Sequence, residues 1–479
     1  MSKQPDESGR RATNIVVICS DEHNARCFGA AGHPFVQTPN LDALAARGTR
    51  FENAWTPSPI CVPARASMAT GRWVHDLGAW DSAQAYAGET PGWAHAARDA
   101  GAHAVSVGKL HFRSEADDFG WTESILPMHI VNGVGWVQGL PRRNPFPYDH
   151  AGELAADCAI EESSYTRFDT AVTAKAIEWI DTNATGDRPF ALFVSMVAPH
   201  YPLAVMEEFV APYLDLDLPL EIPEQPITHP AIAGLADGMP YHRFFDEDRT
   251  RFARQLYLGL CGWLDHNVGQ VVAALDRAGV TNDTTIVYTT DHGDMIGNRG
   301  LWAKSYMWQD SIRVPMIVAG PDVPVGVDTD TATNLVDLHA TIVDTVAAGR
   351  AELGAGRSLV ELANRPDPQR LNFSEYHDGG SITGSFAVRF GAMKYVHHVG
   401  FEPELYDLAV DPDELNDLAS DPAHRSDLVE GEAQLRTIVD PDDANARAFA
   451  SQEWLIEHYG GRDALMNAFH FNHTPVPVD

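Results

Sequence analysis

The apolar positions of the chain form two patterns that alternate along most of its length. Five short runs are largely apolar or β-branched, and they span residues 14–20, 102–107, 190–197, 284–290 and 314–320. Such runs are typical of parallel strands that helices cover on both faces. Segments of helical spacing lie around them, at 38–46, 61–71, 90–101, 163–183, 248–278 and 334–347. The alternation predicts an α/β fold with a large, mostly parallel central sheet flanked by helices.

The pattern changes beyond the proline-rich segment 365–368. Four strand-like runs then follow one another with only turns between them, at 371–376, 385–390, 394–399 and 405–408, and helical spacing covers 423–459. This succession is typical of an antiparallel sheet packed against helices. We therefore predict an α/β domain over residues 1–366 and a smaller C-terminal α+β subdomain over residues 367–479.

Polar side chains follow four of the predicted strands where each strand ends. They are Asp21, Lys109 with His111, His200, and Asp291 with His292. One such residue alone is more often a helix cap or a surface residue than a ligand. Because the carboxyl ends of parallel strands meet at one edge of a sheet, we expect all of them to converge. Two carboxylates and an imidazole suit a divalent cation, and the positive charges of Arg65, Lys109 and Lys304 suit a tetrahedral oxyanion.

A second candidate feature is the proline-rich stretch 56–72, which contains Cys61. Proline in a first helical turn and Gly71 at the end predict a helix that begins near Cys61, where free N–H groups favour an anion. Arg65 lies one turn further along the same face. Taken alone, the stretch also fits a buried structural thiol in a stiff loop.

The composition narrows the classes of partner. A net charge of −33 disfavours binding to nucleic acid or to anionic membranes. Five scattered cysteines without metal-ligand spacing indicate reduced thiols. The polar segment 1–11 and the short apolar run after it do not form a signal peptide, and no stretch is long enough for a membrane span. We expect a cytoplasmic protein.

These motifs carry a resemblance to a known family. The segment Cys61-Val62-Pro63-Ala64-Arg65, followed by Ala66-Ser67 and Thr70-Gly71-Arg72, resembles the C-x-P-x-R formylglycine signature of type I sulfatases, in the alkaline-phosphatase-like superfamily. Five further matches occur in the expected order: Asp21 after its strand, Thr38-Pro39-Asn40-Leu41-Asp42, Gly108-Lys109-Leu110-His111, Asp291-His292-Gly293-Asp294 with Gly300-Leu301-Trp302-Ala303-Lys304, and Leu405-Tyr406-Asp407-Leu408 with Asp411-Pro412-Asp413-Glu414-Leu415-Asn416. The K-x-H element and the Asp-His pair are similar to the choline-sulfatase and phosphonate monoester hydrolase branch.

The resemblance implies a sulfuric ester hydrolase that releases an alcohol and sulfate. Cys61 would be oxidised by a formylglycine-generating or equivalent enzyme; one hydroxyl of the aldehyde hydrate would attack sulfur, and the second would later expel sulfate. One divalent cation is implied, Ca²⁺ being favoured over Mn²⁺ or Mg²⁺. The implied ligands are Asp21, Asp291, His292 and the modified Cys61. Arg65 would stabilise the hydrate, and the sulfate would be held by Lys109 and Lys304. The resemblance assigns the roles of base and leaving-group acid to His111 and His200, and which residue has which role is left open.

Two departures from the family pattern bear on these expectations. Ala64 stands where serine is commonest, and Glu22 stands where many members have a second aspartate. Because glutamate is one methylene longer, we leave Glu22 out of the ligand set and expect His23 and Asn24 to support the site without binding metal. The alternatives are a phosphonate or phosphate ester hydrolase on the same site, and a non-catalytic protein that binds a metal or an anion.

The released alcohol is the main unknown. We expect its pocket to come from the irregular segments 117–163 and 202–240 and from residues 375–377. Trp121, Trp136 and Tyr148 could line that pocket or form a satellite core. The acidic surface favours a neutral or cationic alcohol. A homo-oligomer is left open, since the aromatic residues beyond 440 could pack on a neighbour or on their own domain: Phe449, Trp454, Tyr459, Phe469 and Phe471.

Overall fold

The computed structural model describes residues 12–146, 148, 150–347, 354–468 and 473–477. The N-terminal segment 1–11 and the residues Phe469 and Phe471, for which the sequence made predictions, lie outside the described residues. In these ranges every helix is too short or too polar to traverse a lipid bilayer.

The strands in chain order are β1 (Asn14–Asp21), β2 (Gly48–Phe51), β3 (Ala54–Trp55), β4 (His103–Lys109), β5 (Glu123–Met128), β6 (Ala159–Ile160), β7 (Phe190–Pro199), β8 (Ala204–Val205), β9 (Thr284–Thr290), β10 (Met316–Ala319), β11 (Val327–Thr329), β12 (Thr333–Asn334), β13 (Asn372–Tyr376), β14 (Ser385–Phe390), β15 (Met393–His398) and β16 (Glu404–Asp407).

The α-helices are α1 (Pro39–Ala46), α2 (Cys61–Thr70), α3 (Val74–Leu77), α4 (Trp93–Asp99), α5 (Ala151–Ala156), α6 (Ser164–Asn183), α7 (Glu207–Val210), α8 (Pro230–Gly238), α9 (Glu247–Ala278), α10 (Gln309–Ile312), α11 (Val336–Ala347), α12 (Leu359–Asn364), α13 (Arg425–Ile438), α14 (Pro441–His458) and α15 (Arg462–Met466).

The main sheet of the described chain has eight strands in the order β11-β2-β10-β9-β1-β7-β4-β5. The central strands β9, β1, β7 and β4 are parallel, so their carboxyl ends share one edge. Strand β1 is buried along its whole length. Its side chains alternate between two cores: Val16 and Ile18 pack on the side of α6 and α9, and Ile15 and Val17 pack on the side of α2, α4 and α11. The predicted α/β architecture is confirmed.

The C-terminal part of the described chain contains a four-stranded antiparallel sheet in the order β13-β14-β15-β16, with α13 packed on it. Its core includes Phe386 and Leu435, and Val74 and Trp80 from the first part of the chain join the same cluster. The antiparallel sheet is therefore confirmed. The boundary near residue 366 stays a prediction, and it falls between α12 and β13.

Three parts of the chain differ from the sequence prediction. The segment 117–163, expected to be irregular, contains β5 and α5. Strand β5 is half exposed at the sheet edge and therefore lacks a continuous apolar run. Gly48, expected only to end a helix, begins the short strand β2. Strand β10 lies antiparallel to both β9 and β2, so the sheet is mixed on that side.

Candidate active site

Cys61 is the first residue of α2, which Gly71 ends with the left-handed φ of 68° that the sequence predicted. The Sγ atom of Cys61 lies 3.1 Å from Nε2 of His292 and 3.7 Å from Oδ1 of Asp21. Burial and the charge of Asp21 raise the pKa of the thiol well above its ordinary value. Residue 61 therefore faces the strand-end ligands from the N-terminus of a buried helix.

Four residues form a group that we call the strand-end cluster. They are Asp21 at the end of β1, Asp291 and His292 after β9, and Cys61. One ligand atom from each residue lies within 4.8 Å of the others. The Nδ1 atom of His292 lies 3.0 Å from the carbonyl oxygen of Gly293, so it donates a proton there and leaves the lone pair on Nε2. That Nε2 faces the Oδ1 atoms of Asp21 and Asp291 at 3.9 and 3.7 Å. Two carboxylate oxygens and an imidazole nitrogen fit a divalent cation.

Arg65 holds the other oxygen of each carboxylate. Its Nε donates to Oδ2 of Asp291 at 2.7 Å, and its Nη2 donates to Oδ2 of Asp21 at 3.1 Å. Its Nη1 donates to the carbonyl of Lys109 and to Oγ of Ser195, at 2.8 and 2.9 Å. Because one buried guanidinium bridges both aspartates, their Oδ1 atoms stay turned toward residue 61. The sequence had assigned Arg65 to the hydrate, and in the structure it also orients the ligands.

Lys109 is fully buried, with Nζ 2.6 Å from Oδ2 of Asp21. Burial alone would raise the pKa of Asp21, but Lys109 and Arg65 lower it well below its ordinary value. The preceding Gly108 has a φ of 98°, and a Cβ there would lie 2.2 Å from the carbonyl oxygen of Ser195. Only glycine fits this close approach, which lets the chain turn Lys109 into the site at the end of β4.

Lys304 and His200 form the other side of the site. The Nζ of Lys304 donates to Oε2 of Glu22 and to Nε2 of His200, each at 2.9 Å. The Nδ1 of His200 donates to the carbonyl of Tyr201 at 2.6 Å. Burial and Lys304 lower the pKa of His200 well below its ordinary value, which keeps the imidazole neutral. Glu22 is thus bonded to Lys304, and one of its carboxylate oxygens lies within 4.8 Å of ligand atoms of Asp21 and His200.

In the part of the chain that the structure describes, neither ring nitrogen of His111 has a hydrogen-bond partner, although the residue is buried. Burial, with a contribution from Lys109, lowers its pKa well below the ordinary value, so this imidazole is also neutral. Buried polar atoms without partners are uncommon in folded proteins. His111 is therefore free to bond a substrate atom.

A cavity of about 100 Å³ opens above these residues. Its floor is polar and includes Cys61, Lys109, His111, His200 and Lys304. Its walls are largely aromatic and include Trp136, Tyr148, Tyr165, Tyr201 and Tyr241. No carboxylate is among the lining residues in the described ranges.

The residues that line the cavity include some of those predicted for the alcohol pocket. Segment 117–163 supplies Trp136 and Tyr148, and segment 202–240 supplies Met239. Trp121 instead packs edge-on against Trp93, with ring centroids 4.8 Å apart, in a core cluster. Glu375 is buried between two histidines and does not line the cavity.

The structure brings together all nine residues that the sequence selected. His23 bonds Tyr288 and the carbonyl of Cys27, so both its ring nitrogens are used outside the strand-end cluster. Sequence reasoning missed Ser195, because this residue lies inside an apolar run and no local signal marks it. Its register beside Cys19 and Gly108 places it under Arg65. Tyr165, another missed residue, begins a helix far from every motif.

Comparison with known proteins identifies the family. Residues 13–348 match the family model described as Sulfatase. The chain belongs to the sulfatase family. Residues 297–439 of this sulfatase also match the model described as N-sulphoglucosamine sulphohydrolase, C-terminal. The enzyme is a sulfuric ester hydrolase, and the resemblance stated from the sequence is confirmed.

Named relatives cover most of this sulfatase. It is 30% identical over 414 residues to choline-sulfatase of Rhizobium meliloti (strain 1021), an alignment that spans 83% of this chain and 81% of that protein. It is 29% identical over 432 residues to arylsulfatase K of Danio rerio, spanning 84% of this chain and 79% of that protein. The solved phosphonate monoester hydrolase of Agrobacterium radiobacter has a TM-score of 0.73 at 23% identity, covering 89% of this chain and 95% of that one. The last likeness supports the fold alone.

Proposed function

We propose that this sulfatase hydrolyses the sulfate monoester of a small alcohol, with a formylglycine made from Cys61 and one divalent cation. One observation carries the proposal. One ligand atom from each of Cys61, Asp21, Asp291 and His292 lies within 4.8 Å of the others. They do so at the floor of a small cavity that Lys109 and Lys304 also line.

The strand-end cluster would hold the cation, with Ca²⁺ favoured because oxygen donors predominate, and Mn²⁺ or Mg²⁺ as alternatives. The cation would withdraw charge from the sulfate oxygens and favour ionisation of an attacking hydroxyl. Arg65 keeps the two aspartates oriented through the bonds to their Oδ2 atoms. Lys109 and Lys304 would bind the remaining sulfate oxygens, where negative charge increases in the transition state.

The modified side chain would supply two hydroxyls on one carbon, which a cysteine thiol cannot do: one to attack sulfur and one to expel sulfate. The proton transfers at residue 61 and at the leaving oxygen fall to the two imidazoles that line the cavity, His111 and His200. Both are neutral, and the pH profiles of kcat for single alanine variants would assign the two roles. The maturation enzyme, the cytoplasmic location and the oligomeric state stay predictions.

Mass spectrometry and a cysteine variant test the proposal. In protein from a maturation-competent host, the peptide spanning Cys61 should be about 18 Da lighter than its thiol form, or about equal to it when hydrated. Cys61→Ser should lower kcat/KM for an aryl sulfate by about 10⁴-fold or more, the scale of losing a nucleophile. Cys158→Ser, a matched change at another buried cysteine, should stay within about twofold. An active protein with an unmodified thiol would overturn the proposal, as would modified protein without turnover.

Metal removal tests the cation separately. Dialysis against a chelator should abolish turnover, and adding back Ca²⁺, Mn²⁺ or Mg²⁺ singly should restore it and identify the preferred ion. Elemental analysis should find about one cation per chain in active protein. Full activity in metal-free protein would contradict this part of the proposal.

Phosphonate or phosphate ester hydrolysis is the second candidate. The floor of the cavity supports it, because its lysines would also bind phosphoryl oxygens. The ratio of kcat/KM for a matched aryl sulfate and aryl phosphonate decides between the two. We expect the sulfate to be preferred by about tenfold or more.

A further inference from the structure

The segment 473–477 returns to the active site, far along the chain from the other pocket residues. Tyr165, at the start of α6, donates its hydroxyl to the carbonyl of Thr474 at 2.7 Å. The Tyr165 ring lies edge-on to His473, with centroids 5.0 Å apart. Val476 packs against the core that contains α6 and α9. The segment is thus bonded to a residue that itself lines the cavity.

His473 and Thr474 both line the cavity, on the Tyr165 side. Trp136, Tyr148 and Tyr241 supply a connected aromatic wall, in which the Tyr148 ring meets Trp136 and Tyr241 edge-on at 5.5 and 5.7 Å between centroids. Among the described residues, the buried Nδ1 atom of His473 has no hydrogen-bond partner. A leaving alcohol above residue 61 would therefore be enclosed by these rings and by His473.

The size of the enclosed space limits the alcohol. The cavity measures about 100 Å³. Sites for drug-sized ligands measure roughly 300–1,000 Å³, and each water needs about 10–15 Å³ on a comparable scale. A space for roughly seven to ten waters fits a compact alcohol better than a chain of sugar rings. Ring faces on the wall can contact an apolar group or a cation.

We propose that residues 473–477 form the outer wall of the leaving-alcohol pocket and that His473 is a specificity-determining residue, which restricts this sulfatase to sulfate monoesters of compact alcohols. The inference rests on the proposed function, because it assumes that the ester is cleaved at residue 61. The inference adds His473, a residue that lies outside every sequence motif. It also adds a limit on the substrate that the strand-end cluster does not set.

The test compares a compact and an extended ester in formylglycine-verified, full-length protein. The compact ester is 4-nitrophenyl sulfate, and the extended ester is biphenyl-4-yl sulfate. In His473→Ala the ratio of kcat/KM for the extended over the compact ester should rise by about tenfold or more, mainly through a lower KM for the extended ester. His458→Ala is the matched control, because His458 is exposed on α14 and stacks on Trp454. Its ratio should stay within about twofold of the wild type.

A second variant covers the case in which His473→Ala does not fold. Tyr165→Phe keeps the ring but removes the hydroxyl that bonds Thr474, and we expect a rise in the same ratio of about threefold. If the wild type hydrolyses the compact ester but both variants keep its ratio within about twofold, the wall is wrong and the proposed function stands. If verified wild type hydrolyses neither ester, the proposed function fails, and this inference fails with it.

Discussion

Two buried groups of carboxylates and imidazoles in this sulfatase look alike by composition and differ in what their atoms bond. The first is the strand-end cluster. The second, which we call the junction cluster, consists of His75, Glu375 and His377 where the antiparallel sheet meets the first part of the chain. In the junction cluster, Oε1 of Glu375 lies 2.8 Å from Nδ1 of His75 and accepts its backbone N–H at 3.1 Å. Its Oε2 lies 3.1 Å from Nε2 of His377.

Both carboxylate oxygens of Glu375 are therefore used within the junction cluster. In the strand-end cluster, Arg65 bonds Oδ2 of each aspartate, and the Oδ1 atoms and the Nε2 of His292 converge beside residue 61. Only the strand-end cluster also borders a cavity. The difference teaches that ligand atoms from separate elements converging on one point distinguish a site from a structural group, whereas residue types and burial do not. Three variants test this, in order of falling effect on turnover.

The largest effect should come from Arg65→Lys. A lysine ammonium cannot reproduce the fork that bridges Asp21 and Asp291, so at least one Oδ1 atom should lose its orientation. We expect kcat/KM for an aryl sulfate to fall by about 10²–10³-fold. The bound cation, measured by elemental analysis, should fall as well.

Arg50→Lys is the matched control. Arg50 also bridges two carboxylates, those of Glu52 and Asp328, but these partners are exposed at the surface. Its activity should stay within about twofold of the wild type, because exposed ion pairs contribute little. If Arg65→Lys keeps full activity and full cation content, the orienting role of Arg65 is wrong.

The strand-end cluster was readable from the sequence, since a buried parallel strand is a continuous apolar run and its end is marked by the first polar residue. Asp21, His200 and Asp291 follow from that rule, and the shared edge follows from parallel pairing. The hydrogen-bond partners of Arg65 could not be predicted from the sequence. Whether its guanidinium binds a substrate oxygen or two aspartates depends on distances across three strands. The pocket wall at His473 could not be predicted from the sequence either. Its position depends on where the chain comes back to the active site after more than a hundred residues of the C-terminal part.

The junction cluster shows the converse error. Residues 375–377 lie at the end of β13 and contain a carboxylate and an imidazole. Their place at the predicted domain junction led to the expectation that they line the pocket. Antiparallel pairing of β13 with β14 instead turns this strand end toward His75 and Trp80. A polar strand end therefore predicts a site only where the strand belongs to the parallel part of the main sheet.

An intermediate effect on turnover should come from Glu22→Ala. This variant tests whether the four residues of the strand-end cluster bind the cation without Glu22. Since Oε2 of Glu22 is bonded to Lys304, its loss leaves that ammonium with His200 as its remaining close hydrogen-bond partner. We expect kcat to fall by about tenfold through misplacement of Lys304, with the cation content unchanged. Loss of the cation from Glu22→Ala would instead make Glu22 a ligand and would contradict the four-residue set.

The smallest effect on turnover, and the largest on stability, should come from Glu375→Gln. Glutamine cannot carry the charge that both histidines of the junction cluster contact, and breaking a buried pair costs roughly 3–5 kcal/mol. Thermal unfolding at pH 7 should therefore show a clear loss of stability. The folded variant should hydrolyse an aryl sulfate within about threefold of the wild type, because the junction cluster does not border the cavity. A loss of turnover without a loss of stability would place Glu375 in the site.

The pH dependence of the stability difference between the wild type and Glu375→Gln identifies the cause of that difference. Burial alone would raise the pKa of Glu375, but His75 and His377 lower it to about 2 from an ordinary value of 4.5. A carboxyl group with a lowered pKa stabilises the fold fully above its unfolded pKa, and that contribution disappears as the pH falls toward the folded value. A shift of this size corresponds to about 3 kcal/mol. The gap in unfolding free energy between wild type and Glu375→Gln should thus be widest at pH 7 and close progressively from pH ~5 toward pH ~2. A gap of constant width over that range would mean that the ionised carboxylate is not what holds the junction cluster together.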